Sequence, residues 1–353
     1  MFATLVLAAA AVSAPVQPSD GYFYETIKVS PHVHVIMRPD PVRVPAEGNV
    51  TVIEQADGLI VVDAGGSPVG GVRVVERIKA LSPKPVKFVV YTHWHGDHNL
   101  GAPAFRAAYP NVHFVATQGT YRAMIGPASK YYDDYVKNWP PVVAPALAHA
   151  NDPSLPTAER ARWAQLAVDA PLIGQAFVGA RVVAPDIAFS GKMFFEDADT
   201  PAEVMFLGRG NTDGDAVAWL PKERVLITGD LVVAPYPFGT ESYPSEWIEV
   251  LKKLESFDFK TLVPGHGALQ ADHTYVDSVI ALIDDVRRQV EPLAKQGLSL
   301  EEIQKKVDFG REYDRYAGKD TFVRKFFKKY FMDPMIGCAY KEAKGEPIVQ
   351  AGG

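Results

Sequence analysis

The chain is poor in the residues that staple or anchor a protein. It holds one cysteine, Cys338, in 353 residues, which excludes an intrachain disulfide and a thiolate-rich structural metal site. Any metal must therefore rest on imidazole, carboxylate and amide donors. No run of Lys and Arg is dense enough to follow a phosphate backbone, and the formal net charge is −6; nucleic acid is not an expected partner. Beyond the first residues, no apolar stretch approaches the roughly 20 residues that cross a bilayer, so no stable membrane insertion is expected of the mature chain. No Lys or Arg precedes the apolar run 1–14 either. That run ends in Ala11-Val12-Ser13-Ala14, which has the small-x-small form of a signal-peptidase site, and Pro15-Val16-Gln17-Pro18-Ser19-Asp20 after it reads as a linker. Residues 1–20 are accordingly expected to be signal peptide and linker, with the mature protein periplasmic or secreted.

What is abundant is core-forming material. Hydrophobic residues make up 47% of the chain, enough for a substantial core. β-rich runs at residues 33–37, 50–53, 59–62, 88–91 and 112–115 alternate with turn signals. Helical patterns at 70–81 and 100–109 fall among them. Between 120 and 184 the chain turns helical and proline-punctuated, with Tyr131, Tyr132, Tyr135, Trp139 and Trp163. This stretch reads as an insertion, either the core of a small helical subdomain or a lid. Strand patterns resume at 203–207, 216–220 and 225–228, with Pro221-Lys222-Glu223-Arg224 as a hairpin turn. An amphipathic helix at 245–256 and a short strand at 261–263 follow. After Asp272 only helical patterns remain, at 276–293 and 300–307. The order predicts a layered α/β domain over 21–270, carrying the insertion 120–184, and a helical C-terminal extension over 271–353.

His93-Trp94-His95-Gly96-Asp97-His98 places four potential ligands in six residues, directly after an apolar strand. The alternate spacing of His93 and His95 turns both imidazoles to one side of an extended chain. Gly96 allows the bend that aims Asp97 and His98 at a second position. A solvated loop needs no such order. The other histidines lack this company: His113 lies between apolar neighbours in a strand pattern, His149 and His273 stand in polar contexts, and His32 and His34 share a face without a carboxylate. All five are read as structural.

On these residues the sequence resembles the metallo-β-lactamase superfamily, whose signature is His-x-His-x-Asp-His. Asp63-Ala64-Gly65 is similar to the family's structural Asp-x-Gly element, Thr228-Gly229-Asp230-Leu231 to the segment with the bridging carboxylate, and Pro264-Gly265-His266-Gly267 to the one with the last histidine. The likeness spans roughly residues 22–269. It implies a four-layer αββα sandwich with a helical insertion and a helical C-terminal extension. It also implies a first metal site of His93, His95 and Asn211 and a second of Asp97, His98 and His266, with Asp230 bridging. Asn211 stands where the family usually has a histidine, in Gly208-Arg209-Gly210-Asn211-Thr212, and an amide oxygen is a weaker donor to zinc than imidazole.

The resemblance further implies a cofactor, one or two Zn2+ ions or another divalent metal, and catalytic work for Asp97 and Asp230. The expected reaction is cleavage of an ester, lactone or amide bond in a small-molecule substrate by metal-bound hydroxide, with Asp97 orienting the nucleophile. β-Lactamases of the family often carry a Lys three residues after the bridging position. Val233 occupies that place here, which weighs against a dedicated antibiotic-degrading role. Tyr236-Pro237-Phe238-Gly239 is expected to add an apolar wall. Two alternatives stay open on sequence: a mononuclear iron dioxygenase of the persulfide-oxidising type, and a degenerate binding protein of the same fold. The intact second ligand set and Asp230 weigh against the latter. Sequence leaves the oligomeric state unknown.

Overall fold

The computed structural model describes residues 23–43, 45–126 and 143–350. The expected leader and Tyr131, Tyr132, Tyr135 and Trp139 lie outside the described residues. Strands β1 (Glu25–Ser30), β2 (Val33–Met37), β3 (Val50–Gln55) and β4 (Gly58–Val62) form an antiparallel meander. Strands β5 (Val86–Val90), β6 (His113–Thr117) and β7 (Ile187–Phe189) extend the same sheet in parallel. Helix α1 (Pro68–Leu81) crosses from β4 to β5, and α2 (Gly96–Asn99) with α3 (Ala102–Ala108) from β5 to β6. Between β6 and β7 lie α4 (Gln118–Ile125), α5 (Val143–Ala150) and α6 (Thr157–Ala176).

The second sheet runs in the order β12-β11-β10-β9-β8, with β8 (Lys192–Phe195), β9 (Ala202–Phe206), β10 (Ala216–Leu220), β11 (Val225–Val233) and β12 (Thr261–His266). It is antiparallel except for β11 and β12, which pair in parallel and are joined through α7 (Pro244–Leu254).

The alternation of side chains along a strand sorts the core into layers. In β4, Leu59 and Val61 join Val74 and Ile78 of α1 and Phe105 of α3, while Ile60 and Val62 join Val204, Ala218 and Ile227 of the second sheet. In β11, Val225 and Ile227 face the first sheet, and Leu226 joins the cluster built on α7 and α8 (Thr274–Lys295). Each such fully buried aliphatic side chain contributes about 1.5–3 kcal/mol. The result is helix, sheet, sheet, helix, the four-layer αββα sandwich that the motifs imply. Because both of its faces are covered, β4 is buried at every position and reads as a continuous apolar run.

After β12, only helices follow among the described residues: α8, α9 (Leu300–Lys306), α10 (Gly310–Ala317), α11 (Thr321–Phe327), a π-helical turn (Lys328–Met332) and α12 (Asp333–Lys344). They are not an appendage. Val276, Val279, Leu282, Ile283, Phe331 and Met335 complete the core on the outer face of the second sheet. No helix of the described residues is long and apolar enough to cross a membrane.

Trp163 in α6 is buried, stacked on His149 of α5 at 4.4 Å and edge-on to Phe322 of α11 at 4.8 Å. The end of α6 sends Ile173, Ala176 and Phe177 into the core beside the first sheet. The described part of the insertion is thus packed on both sides, and Trp163 serves as core.

Some strands differ from expectation. β1 and β8 carry too many polar or exposed positions to stand out as strands. β11 continues five residues past its expected end, through Gly229-Asp230, which resembles a turn in sequence. Gly229 adopts φ 51, and the pairing with β12 shifts register there rather than ending.

Candidate metal centre

The loop 93–98 leaves the end of β5, Asp230 lies within β11, and His266 closes β12. The loop and His266 sit at the carboxyl ends of parallel strands, where α/β sheets bring functional groups together, and Asp230 lies just past the register shift at Gly229. Asp63, just after β4, organises the loop. It accepts hydrogen bonds from Thr92 N at 2.8 Å and Thr92 Oγ1 at 2.9 Å, and lies 2.8 Å from His98 Nδ1. With Nδ1–H donated to Asp63, His98 Nε2 is left as the free ring nitrogen, the arrangement that fixes a metal-binding tautomer. Thr92 Oγ1 is also 3.0 Å from His93 Nδ1. Asn99 Nδ2 donates to the carbonyls of Trp94 and His95, both at 2.7 Å, and closes the turn.

This bracing converges the side chains. His93 Nε2 is 2.9 Å from His95 Nδ1 and 3.7 Å from Asp230 Oδ2. His98 Nε2 is 3.1 Å from both Asp230 Oδ1 and His266 Nε2, and His266 Nε2 is 3.0 Å from Asp97 Oδ2. Two donor groups result, Asp97, His98, Asp230 and His266 in one and His93, His95 and Asp230 in the other, with the atoms of each within 4.8 Å of one another. Asp230 belongs to both. The approach depends on glycine: a Cβ on Gly265 would overlap Asp230 Oδ1, and one on Gly66 would stand 2.7 Å from Asp97 Cα.

The structure thus brings together six of the seven residues predicted from sequence. The seventh, Asn211, lies buried in the loop between β9 and β10. Its Nδ2 donates to the Phe238 carbonyl at 2.5 Å, and the Phe238 ring stands 5.3 Å from that of His95. Asn211 Oδ1 and Asp230 Oδ1 are both buried without a hydrogen-bond partner among the described residues. Buried oxygens left in this state are costly, and a cation satisfies such atoms. The donor set fits a divalent metal.

Electrostatics follow the two groups. Burial pushes His93 well below the usual histidine range and His95 down to about 4, which keeps both imidazoles neutral and able to act as ligands. For Asp97 and Asp230, burial works to raise the pKa but is overcome, first by His98, so that both stay ionised. For His98 and His266, burial is outweighed by the carboxylates, Asp230 foremost, and the pKa rises. A cluster of acidic and cationic partners at these separations is one that a metal ion can replace proton for charge.

His95, Asp97, Asp230 and His266 form one end of a cavity of about 460 Å³. Its walls are mostly apolar, with Trp94, Val233, Tyr236 and Phe238 from the core domain, Phe177 from the end of α6 and Tyr330 from the π-helical turn, while Arg43, Glu241 and Lys329 add charge at its edge. The expected wall at Tyr236-Pro237-Phe238 is present, and Val233 contributes a methyl surface where a Lys would bring charge.

Sequence reading missed the residues that support this centre from a distance. Glu47 is buried and accepts from Gly66 N at 2.6 Å and Ser67 Oγ at 3.0 Å, holding the segment against which Asp97 lies. Burial raises its carboxyl to about 7. Asp215 accepts from Gly210 N, Thr212 N and Thr212 Oγ1 at 2.8–3.1 Å and pins the loop of Asn211. Each is a single polar residue with no local pattern to mark it. The remaining histidines join neither donor group among the described residues: His113 is exposed near Phe88, and His273 packs on Phe259 with ring centroids 4.5 Å apart.

The chain is similar to known proteins in sequence and in fold. A linear primary-alkylsulfatase of Pseudomonas sp. is 26% identical over 288 residues, covering 78% of this chain and 52% of its own. The chain therefore spans about half the length of that curated relative. Among solved structures, a stereoselective inverting sec-alkylsulfatase from Pseudomonas sp. superimposes with a TM-score of 0.63 at 18% identity, over 90% of this chain and 50% of the other. A metallo-β-lactamase from Pontibacter korlensis does so with a TM-score of 0.52 at 19% identity, over 74% and 99%. At these identities the likeness of structure speaks for the fold. The model of the metallo-β-lactamase superfamily matches residues 43–266, more than half of the chain and a span that holds every residue of both donor groups, and the chain belongs to that superfamily.

Proposed function

We propose that this chain is a metal-dependent hydrolase that cleaves an ester of an aliphatic alcohol, with the sulfate ester of an alkyl chain as its leading substrate class. The observation that carries the reading is a double donor cluster, shared through Asp230, at one end of a cavity whose walls are mostly apolar. Such a site takes a polar, negatively charged head at the metals and an alkyl tail along the walls. The names of the alkylsulfatase relatives support the same class.

In this reading Asp97, His98 and His266 hold one divalent ion, His93, His95 and Asn211 the other, and Asp230 lies between them. The mix of imidazole and carboxylate donors suits zinc. A bound divalent ion supplies an activated water at neutral pH and offsets negative charge that develops on the scissile group. The protein's own groups do the rest. Asp97, with its side chain 27% exposed against 3% for Asp230, is the more open of the two carboxylates and orients the attacking water. Asp63 holds the His98 ring. Phe238, Tyr236 and Val233 bind the tail and exclude bulk water.

The test is turnover of linear alkyl sulfates of increasing length by zinc-loaded protein, beside a neutral ester, a lactone and a β-lactam. The expected result is alkyl sulfate hydrolysis that improves with chain length until the cavity is filled. Hydrolysis of the lactone or the β-lactam alone would replace the substrate class. Oxygen consumption with a thiol substrate by iron-loaded protein, without hydrolysis of any ester, would replace the reaction.

A further inference from the structure

Gln350 lies in the segment beyond α12, past the left-handed residue Gly345 that ends that helix. Its side chain reaches two loops that are distant in sequence. Trp94 Nε1 donates to Gln350 Oε1 at 2.7 Å, and Gln350 Nε2 donates to the Glu241 carbonyl at 2.6 Å. Trp94 stands between His93 and His95, is only 2% exposed, and meets the His95 ring edge-on with centroids 4.6 Å apart. Glu241 belongs to the loop that follows β11 and walls the cavity. One loop comes from the first sheet and the other from the second. An amide can accept from one and donate to the other within a single planar group, which a carboxylate or an alkyl side chain cannot do.

We propose that Gln350 is a positioning residue for the metal centre: it cross-braces the His93–His98 loop to the Glu241 loop and, through Trp94, fixes the His95 imidazole. It does so from outside the residues 43–266 that the superfamily model matches. The inference rests on the metal-ligand reading of His93 and His95 given above. Groups that orient a ligand in this way typically influence metal affinity or activity by roughly 10–100-fold.

The test uses the full chain loaded with zinc and reads the rate of zinc release to a chelator, with kcat, KM and Tm alongside. Gln350→Leu removes the hydrogen bonds to Trp94 and Glu241, and the one to Tyr243, and is expected to release zinc on the order of tenfold faster, with Tm close to that of the parent. Gln350→Glu keeps the acceptor for Trp94 but loses the donor to the Glu241 carbonyl, and should release zinc at a rate between those of the parent and Gln350→Leu. Trp94→Phe, which keeps the ring but lacks the indole N–H, should release zinc faster on its own. In that background Gln350→Leu should add little, the mark of a coupled pair. If Gln350→Leu does not fold, Trp94→Phe and Gln350→Glu carry the test. A parent that takes up no zinc overturns the metal reading itself. A parent that holds zinc, with Gln350→Leu or Trp94→Phe releasing it at the parental rate, overturns the cross-brace alone.

Discussion

The two halves of the donor cluster share Asp230 and differ in everything that stands behind them. The half with Asp97, His98 and His266 is made wholly of imidazole and carboxylate. Its His98 ring is held by Asp63, which is held in turn by Thr92, and Gly66 and Gly265 let its backbone close in. In the proposed reading, the half with His93 and His95 is completed by the amide of Asn211, whose oxygen is a weaker donor. That amide hangs on a loop tied down by Asp215 and on one hydrogen bond to Phe238. On that reading the first half would hold its ion more tightly and the second would leave its ion more electrophilic, with the His95 ring 5.3 Å from that of Phe238 in the cavity wall.

The comparison can be broken most forcefully at His266. His266→Ala takes a donor from the stronger half and should lower kcat by more than the roughly 100-fold that outer supporting groups reach. One metal equivalent should go with it, while the circular dichroism spectrum stays parental. Retained activity would mean that the halves have been misassigned. A smaller effect of opposite sign is expected at Asn211. Asn211→His supplies the weaker half with imidazole, so a chelator titration should show the more labile ion held several-fold more tightly, with kcat unchanged or lower. Equal lability of both ions in the parent, unaltered in the variant, would erase the contrast between the halves.

The smallest effect lies behind the stronger half. Burial holds the Glu47 carboxyl up at about 7, against an ordinary value of 4.5, so the fold favours its neutral form. The stability it contributes is fully present below pH 4.5 and is lost as pH rises through 7. Tyr24 and Arg38 face the same carboxyl and limit the shift. Glu47→Gln removes the titration, so between pH 4.5 and 8 the metal-saturated parent should lose about 1–3 kcal/mol relative to the variant. Melting curves at several pH values would show this as a difference that moves in the variant's favour as pH rises, and a constant difference would place the titration elsewhere.

What could be read from the sequence divides along the same line. The His93–His98 run declares itself because chemistry packed into six residues leaves a local pattern, and a continuous apolar run such as β4 gives away a strand covered on both faces. Asp63 and His266 were recognisable through the short motifs that surround them. Glu47, Asp215 and Gln350 were not, since each acts through a partner fixed by tertiary structure, and a lone buried carboxyl or amide has no sequence period. The length of β11 was hidden for a related reason: Gly229-Asp230 has turn chemistry, and only the pairing with β12 keeps it extended. Nor does any pattern announce that Phe177 and Tyr330, one from α6 and the other from the C-terminal helices, would line the same cavity as His95.

The central claim is that Asp230 joins two unequal metal sites. Calorimetric titration of the metal-free protein with zinc, paired with elemental analysis of the product, tests it most directly. The account predicts two ions per chain bound in two steps of different affinity, and the loss or severe weakening of both steps in Asp230→Ala. A single step, or two steps that survive intact in Asp230→Ala, would contradict it.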